Sequence, residues 1–306
     1  DKKTWAELTE EQNAFPPSWC HPPTTGTMRG SGGVGSFTDP ASPPKKGEAS
    51  GASFTDVLLA EPRDHDCHAT KKLNSLFKVG PSHDRSACKK TSRYDVCEVF
   101  SPPRICPVAT EQGLEGGCSI DMAVPEPGTN RRFDLRNQKD QNEVKRRIRR
   151  DCPTVVVVSP PCTAFSIANQ GEVDKQTLSA AVEMIRFSLE ICELQHKSGR
   201  HFIFEQPQSS RAWSLNEVVK MMYRDGVIKT TFHQCMYGLM TSGHQGMAPA
   251  YKPTSFLSNH PSLAEVLQEQ CSGNHRHAQL IGKGTCSRAA CYPRGLCNAV
   301  VRGIQV

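Results

Sequence analysis

Two predicted strand ends carry residues that are able to do covalent chemistry. A Pro-Pro-Cys162 tripeptide follows the apolar run Val155–Val158, and Glu205-Gln-Pro ends a second predicted strand at 201–205. One helical pattern separates the two strands, and a strand–helix–strand unit of this kind normally forms two neighbouring parallel strands. We therefore expect the Cys162 thiol, a possible nucleophile, to lie beside the Glu205 carboxyl, which can hold or transfer a proton.

The elements that must position these residues alternate along the chain. Strand patterns occur at 95–100, 118–122, 155–158, 201–205, 227–233 and 252–259, and helical patterns at 105–112, 141–150, 174–196, 215–223, 262–271 and 289–304. This alternation predicts an α/β fold, Rossmann-like and three-layered, with a mostly parallel central sheet. Such sheets bind ligands outside the carboxyl ends of their strands, where Cys162 is expected.

The N-terminal part of the chain has a different composition. Residues 1–51 are rich in Pro, Gly and Ser and are expected to be disordered, because few apolar side chains are present to offset the entropy of ordering. Residues 52–92 are predicted to be a poorly defined linker or small subdomain, and 93–306 to be the main domain. Because the chain begins with Asp1 rather than Met, we expect a fragment or a processed piece.

Charge and cysteine content limit the function classes. The formal net charge of +6 permits a nucleic-acid partner without requiring one. The 14 cysteines lack the short regular spacings of a secreted disulfide framework, so we expect reduced thiols in an intracellular protein, nuclear if the source is eukaryotic. No apolar run reaches transmembrane length, so no membrane partner is expected. We also expect a monomer.

The residues around Cys162 and Glu205 resemble a known family. Ser-Pro-Pro-Cys162-Thr-Ala-Phe-Ser is similar to the Pro-Cys catalytic loop of the DNA cytosine-5 methyltransferases. Phe-Glu205-Gln206-Pro is similar to that family's Glu-Asn-Val/Pro motif, with Gln206 where the family has Asn. The resemblance covers roughly residues 93–304, with a reduced recognition region at about 235–290. It implies a Rossmann-like methyltransferase fold that acts on nucleic acid, with DNA as the expected form.

The resemblance also implies a binding site for S-adenosylmethionine. Glu-Val-Phe100 resembles the Asp-Leu-Phe segment that opens the family's cofactor site. Asp121 resembles the acid that holds the cofactor ribose, and Asp134 the acid that contacts the adenine amino group. Pro160 of the cysteine loop is assigned to the same site, as is Asn298 in a segment similar to the family's last motif.

The same resemblance implies a mechanism. The target cytosine leaves the duplex, because its ring carbons are unreachable inside the base stack. Cys162 attacks the ring carbon next to the methylation site, Glu205 contacts the ring nitrogen, and Ser166 is an expected nucleic-acid contact. A basic run is expected either to contact phosphates, to serve nuclear targeting, or simply to form a solvated helix face. The residues of this run that are predicted to bind nucleic acid are Lys145, Arg146, Arg147 and Arg149.

Other functions remain open at this point. The chain can be a catalytically inactive, methyltransferase-like module of a retroelement polyprotein that binds nucleic acid or a partner. The Ser-Pro-Pro-Arg turn after Phe100 favours this alternative, because the family has a glycine-rich turn there. An unrelated thiol enzyme would need a histidine near Cys162. The Ser-Pro-Pro sequence also resembles a loop of amino-methyltransferases, but Cys162 occupies that loop's aromatic position.

Two groups of Cys and His residues have metal-binding chemistry but unusual spacing. One comprises Cys67, His68, His83 and Cys88; the other comprises Cys271, His275 and His277, with Cys286 and Cys291. Neither spacing matches a common zinc site, so loop packing is the favoured interpretation and no metal site is predicted.

Overall fold

The fold is taken from a computed structural model of the chain. It describes residues 92–126, 128–166, 173–243, 246–278, 280 and 289–306. The predicted disordered segment 1–51, and all but the last residue of the predicted segment 52–92, lie outside the described residues.

Apolar strands build a six-stranded central sheet of order β2-β1-β3-β4-β8-β5. Its strands are β1 Val96–Val99, β2 Gly116–Ile120, β3 Val155–Val158, β4 His201–Pro207, β5 Ile228–His233 and β8 Pro253–Ser258. Strands β1 to β5 run parallel, and β8 is inserted antiparallel between β4 and β5. A separate two-stranded sheet pairs β6 Met240–Gly243 with β7 Gly246–Pro249.

Helices cover both faces of the central sheet. On one face lie α1 Ile105–Glu111, α5 Pro261–Val266 and α6 Arg294–Gln305; on the other lie α2 Gln138–Asp151, α3 Lys175–Lys197 and α4 Asn216–Met222. Because strand side chains alternate, Val156 and Val158 pack into one core and Val155 and Val157 into the other. The predicted three-layer α/β architecture with a mostly parallel sheet is therefore confirmed. No helix within the described residues is long and apolar enough to cross a membrane.

The structure departs from the predicted elements in three places. The helix predicted at 262–271 ends at Val266, because the next residues pair with edge strand β5 instead: the His233 N–H donates to the Glu269 carbonyl at 3.0 Å. The last helix begins only at Arg294, since Pro293 takes an extended conformation as its N-cap. The β6–β7 hairpin was not predicted, because its short strands lack a clear alternation of apolar and polar residues.

The order of the strands determines where a ligand crevice opens. From β1 the chain continues to β2 on one side, whereas β3 lies on the other side of β1 and continues to β4. The loops that follow β1 and β3 therefore turn in opposite directions and leave a crevice between them at the carboxyl edge of the sheet.

A buried carboxylate fixes the turn after β1. Glu98 is fully buried, and its two oxygens accept hydrogen bonds from the backbone N–H groups of residues 104–106 at 3.0–3.1 Å. The hydroxyls of Ser101 and Ser119 each donate to it at 3.1 Å. The carboxylate thereby satisfies amide groups at the N-terminus of α1 that have no partner within the helix, and its charge is favourable there.

We expect Glu98→Gln to destabilise the fold, because an amide nitrogen would then face N–H donors that now meet a carboxylate oxygen. The free energy of unfolding should fall by about 2–3 kcal/mol in chemical denaturation followed by circular dichroism. Glu115→Gln is the matched control, since Glu115 is exposed and should tolerate the change. Equal unfolding midpoints for the two variants would contradict this role of Glu98.

Candidate active site at the carboxyl edge of the sheet

Cys162 and Glu205 follow neighbouring parallel strands. Strands β3 and β4 pair in register, with Val158 opposite Phe204. Glu205 comes directly after Phe204, and Cys162 lies in the loop that follows Val158. The structure thus brings the two predicted catalytic residues to the same edge of the sheet, beside the crevice between β1 and β3.

The side chain of Gln206 links the two loops. It is fully buried, its Nε2 donates to the Pro160 carbonyl at 2.7 Å, and its Oε1 accepts from the Ser210 hydroxyl at 2.9 Å. One amide group therefore fixes the backbone just before Cys162 to the end of β4. Sequence analysis noted Gln206 only as a departure from the family motif; its burial next to Glu205 makes it a positioning residue.

Cys162 sits at the start of a single 3-10 turn, Thr163–Phe165. Its carbonyl accepts a hydrogen bond from the Phe165 N–H at 3.0 Å, and the Phe165 ring is fully buried in the core. Cys162 itself is half-buried and forms no disulfide. Packing of Phe165 in the core thus holds the turn in place, while Cys162 remains partly exposed to solvent.

The side chain of Glu205 faces the core, and its carboxyl group lacks a full set of hydrogen-bond partners among the described residues. Alternation along β4 puts it on the same face as Ile203, which packs under α6. The residue is 7% exposed, and its Oε1 has no hydrogen-bond partner among the described residues. Burial raises the pKa of the Glu205 carboxyl, and the nearby positive charge of Lys252 offsets this in part. Raised acid pKa values of this origin are typical of groups that transfer protons.

A tyrosine just before α6 completes this face of the site. The Tyr292 hydroxyl and the Ser159 hydroxyl share a hydrogen bond of 2.8 Å at the end of β3. Burial, and after it the negative charge of Glu205, raises the pKa of Tyr292 well above its usual range. Tyr292 was not predicted as a site residue, because its partner Ser159 lies far away in sequence.

Phe100, a predicted cofactor residue, has a strained backbone at the end of β1. Its φ of 60° lies in the left-handed region, which residues with a side chain rarely adopt. Its ring packs edge-to-face on Phe187 of α3, with 6.0 Å between centroids. Backbone strain of this kind costs about 1–3 kcal/mol and is concentrated at ligand sites, and here it borders the crevice.

Asp121, at the end of β2, keeps one carboxylate oxygen available. Its Oδ1 accepts hydrogen bonds from the backbone N–H groups of Ala123 and Val124 at 2.6 and 3.1 Å. Its Oδ2 makes no hydrogen bond within the described residues. The carboxylate is therefore held in place by the turn and retains an acceptor for a ligand hydroxyl.

The remaining predicted cofactor residues are engaged elsewhere. Asp134 lies next to Asp121 through a Phe133–Asp121 backbone hydrogen bond, but both its oxygens accept from Arg136 at 2.8 Å, and this pairing lowers the pKa of Asp134. Asn298 accepts from Gln112 at the C-terminal end of α1, whereas the N-terminal end of α1 lies at the crevice. The carbonyl of Pro160 is taken by Gln206. Asp134 is thus next to the predicted cofactor residue Asp121 with both oxygens already paired, and Asn298 lies at the end of α1 that is away from the crevice.

The loops that border the crevice offer few backbone N–H donors. The amides of 104–106 donate to Glu98, that of Ser101 donates to Ile120, and that of Ser159 donates to Val99. The prolines of both loops have no N–H to offer; they are Pro102, Pro103, Pro160 and Pro161. Dinucleotide phosphates are normally bound by free amides at such a turn. The named amides are therefore engaged within the domain, whereas Asp121 keeps a carboxylate oxygen available as an acceptor.

Comparison with known proteins adds no family: no protein-family model matches the chain, and no curated protein matches it significantly.

The predicted basic run is largely neutralised by acids. Lys145 pairs with Glu190 of α3, and Arg146 and Arg147 pair with Glu143 one turn away. Arg149 is exposed. The run occupies the C-terminal half of α2, which leads into the amino-terminal end of β3, so the structure does not bring it to Cys162. Of the predicted nucleic-acid contacts, Ser166 is the one in the cysteine loop.

The raised pKa of Glu205 predicts a pH-dependent effect of Glu205→Gln on stability. A carboxyl whose pKa is higher in the folded state than in the unfolded state costs stability once the pH exceeds its unfolded value. The variant should therefore be more stable than the parent at neutral pH, by about 1.4 kcal/mol per unit of pKa difference, and the gain should disappear below the ordinary carboxyl pKa. Urea denaturation over a pH series measures this, and Glu265→Gln at an exposed position of α5 controls for loss of a surface charge. A stability gain that is independent of pH would oppose the assignment.

Proposed function

We propose that the protein is a divergent S-adenosylmethionine-dependent DNA cytosine-5 methyltransferase, with Cys162 as nucleophile and Glu205 as its assisting acid. One observation carries the proposal: Glu205 is buried, with an oxygen that lacks a partner, at the end of the strand next to the cysteine loop. An uncompensated acid at a core position in the strand next to the cysteine loop is difficult to explain by packing, because an unsatisfied buried acceptor costs about 1–3 kcal/mol.

The proposed chemistry uses both residues on one flipped cytosine. The Cys162 thiolate adds to the ring carbon next to the methylation site, and the negative charge that develops moves towards the ring nitrogen. Glu205, whose raised pKa favours the protonated form, donates a hydrogen bond or a proton to that nitrogen. The neighbouring ring carbon becomes nucleophilic enough to accept a methyl group. That carbon then loses its proton to solvent water, the thiolate leaves, and any proton on the ring nitrogen returns to Glu205. The product base is thereby released and Cys162 restored.

Several features of the crevice support S-adenosylmethionine as the methyl donor. When bound, it supplies an electrophilic methyl group on a sulfonium cation. It carries no phosphate, which agrees with the shortage of amide donors around the crevice. We assign Asp121 to its ribose hydroxyls and Phe100 to its apolar contact surface, since these two residues remain available at the ends of β2 and β1. The single antiparallel strand β8 next to the edge strand supports the Rossmann-like methyltransferase fold that the sequence resembles.

A covalent trap tests the roles of Cys162 and Glu205. Duplex DNA that contains 5-fluorocytosine blocks the elimination step, because fluorine on the methylated carbon cannot leave as a proton does. With S-adenosylmethionine present, we expect the full chain and the control variant Cys118→Ser to form a DNA adduct on denaturing gels, and Cys162→Ala to form none. Glu205→Gln should slow adduct formation by about 10²–10⁴-fold, the usual contribution of a positioned acid. An adduct in Cys162→Ala would rule out Cys162 as the nucleophile.

Calorimetry with S-adenosylmethionine and with NAD tests the cofactor assignment separately. We expect binding of the first and not of the second. Asp121→Asn keeps the Oδ1 acceptor of the turn but replaces Oδ2 by a donor, so affinity should fall by about 10- to 100-fold. Asp225→Asn changes an exposed acid and should leave the affinity unchanged. NAD binding, or equal affinities of the two variants, would contradict the assignment.

The second candidate is a catalytically inactive, methyltransferase-like nucleic-acid-binding module of a retroelement polyprotein. The observation that favours it is the turn after Phe100, where two prolines stand in place of glycine and α1 is capped by the chain's own Glu98. In this case DNA should bind with a steep salt dependence, while neither adduct nor cofactor binding is detected.

A further inference from the structure

A compact group of two thiols and two imidazoles lies away from the candidate active site. Cys235, Cys271, His275 and His277 each offer a ligand atom, and all four atoms lie within 4.8 Å of one another. The sequence grouped the last three with Cys286 and Cys291 instead. Cys291 lies against Arg104, and Cys286 is outside the described residues. Cys235 was not considered, because it is separated from the others by the hairpin, β8 and α5.

We infer that Cys235, Cys271, His275 and His277 form a structural zinc site. Two thiolates and two imidazoles are a ligand set that zinc binds tetrahedrally in structural sites. The Sγ atom of Cys271 lies 3.5 Å from His275 Nε2 and 3.4 Å from His277 Nε2. Ordinary zinc–sulfur and zinc–nitrogen bond lengths give a sulfur–nitrogen separation of about 3.6 Å across a tetrahedron. The two sulfur–nitrogen distances of Cys271 are therefore those expected around a central zinc ion.

A central cation accounts for the convergence of all four ligand atoms, because it bonds to both sulfurs and both imidazole nitrogens at once.

The surroundings of the four residues also match a metal site. His275 Nδ1 lies 3.1 Å from the Asn274 side-chain oxygen, an arrangement that leaves Nε2 for the metal. The Gly273 N–H donates to the Cys271 sulfur at 3.3 Å, as expected for a sulfur that carries negative charge. The Cys271 N–H donates to His233 Nδ1 at 2.8 Å, which ties the ligand loop to the last residue of β5.

The site would join three parts of the domain. Cys235 lies in the 3-10 turn Gln234–Tyr237 after β5, and the other ligands lie in the loop that follows α5. That loop continues to Ala278, whose N–H donates to the Pro249 carbonyl of the hairpin at 2.8 Å. Zinc would therefore hold the end of β5, the ligand loop and the hairpin together, in the region predicted to recognise the target.

The test uses the full chain purified under reducing conditions and measures bound metal directly, independently of methyl transfer. By mass spectrometry we expect about one equivalent of zinc per chain. After exchange with Co²⁺ we expect the intense d–d bands of a tetrahedral site and a sulfur-to-cobalt charge-transfer band. Cys271→Ser and His277→Asn should each lose this equivalent, whereas the matched thiol control Cys118→Ser should keep it.

A ligand-exchange variant covers the case in which the loss variants do not fold. His277→Cys replaces one ligand with another, so it should retain the metal, and its charge-transfer absorbance should rise by about half as two thiolates become three. The inference is overturned if the parent chain binds no zinc, if Cys271→Ser retains the full equivalent, or if peptide mapping finds a Cys235–Cys271 disulfide.

Discussion

The candidate site depends on the in-register parallel pairing of β1, β3 and β4. Val99 pairs with Val158, and Val158 pairs with Phe204. Because the three strands run in the same direction and in register, Phe100, the Cys162 loop and Glu205 of β4 lie along one edge of the sheet. The central strands are buried on both faces of the sheet. A slip of one residue would move the side chains of one hydrophobic core into the other. The packing that stabilises the sheet therefore also fixes the register on which the site depends.

Two buried glutamates of the sheet differ in how fully their carboxyl groups are hydrogen-bonded. Glu98 accepts five hydrogen bonds, from the start of α1 and from two serines, so its charge is fully compensated and its role is structural. Glu205 has an oxygen without a partner, and its pKa is raised by burial. Both acids are buried in the same sheet, but of the two only Glu205 has a carboxyl oxygen without a hydrogen-bond partner, at the carboxyl edge of the sheet. This contrast supports Glu205, rather than Glu98, as the chemically active acid.

Most of the fold could be predicted from local patterns. A strand was predicted at each of the six strands of the central sheet. The signal is clearest at β3, because burial on both faces requires continuous apolar residues. The antiparallel direction of β8 could not be predicted, since it depends on the long connection through the hairpin and not on the strand's own residues. Likewise, the basic run of α2 was compatible with phosphate contact, nuclear targeting or a solvated helix face. Its pairing with Glu190 of α3 depends on how the two helices pack.

The sequence by itself determined the α/β class, the positions of Cys162 and Glu205 at strand ends, and the family that the chain resembles. These features are encoded in contiguous residues, so local propensity and order along the chain are sufficient to find them. Only the tertiary structure decided which groups meet across long separations. It left Asp121 with an available oxygen but paired Asp134 with Arg136, placed Gln206 against Pro160, and brought Cys235 to the Cys271–His277 loop. Such encounters depend on the packing of distant elements, and no spacing within a single segment encodes them.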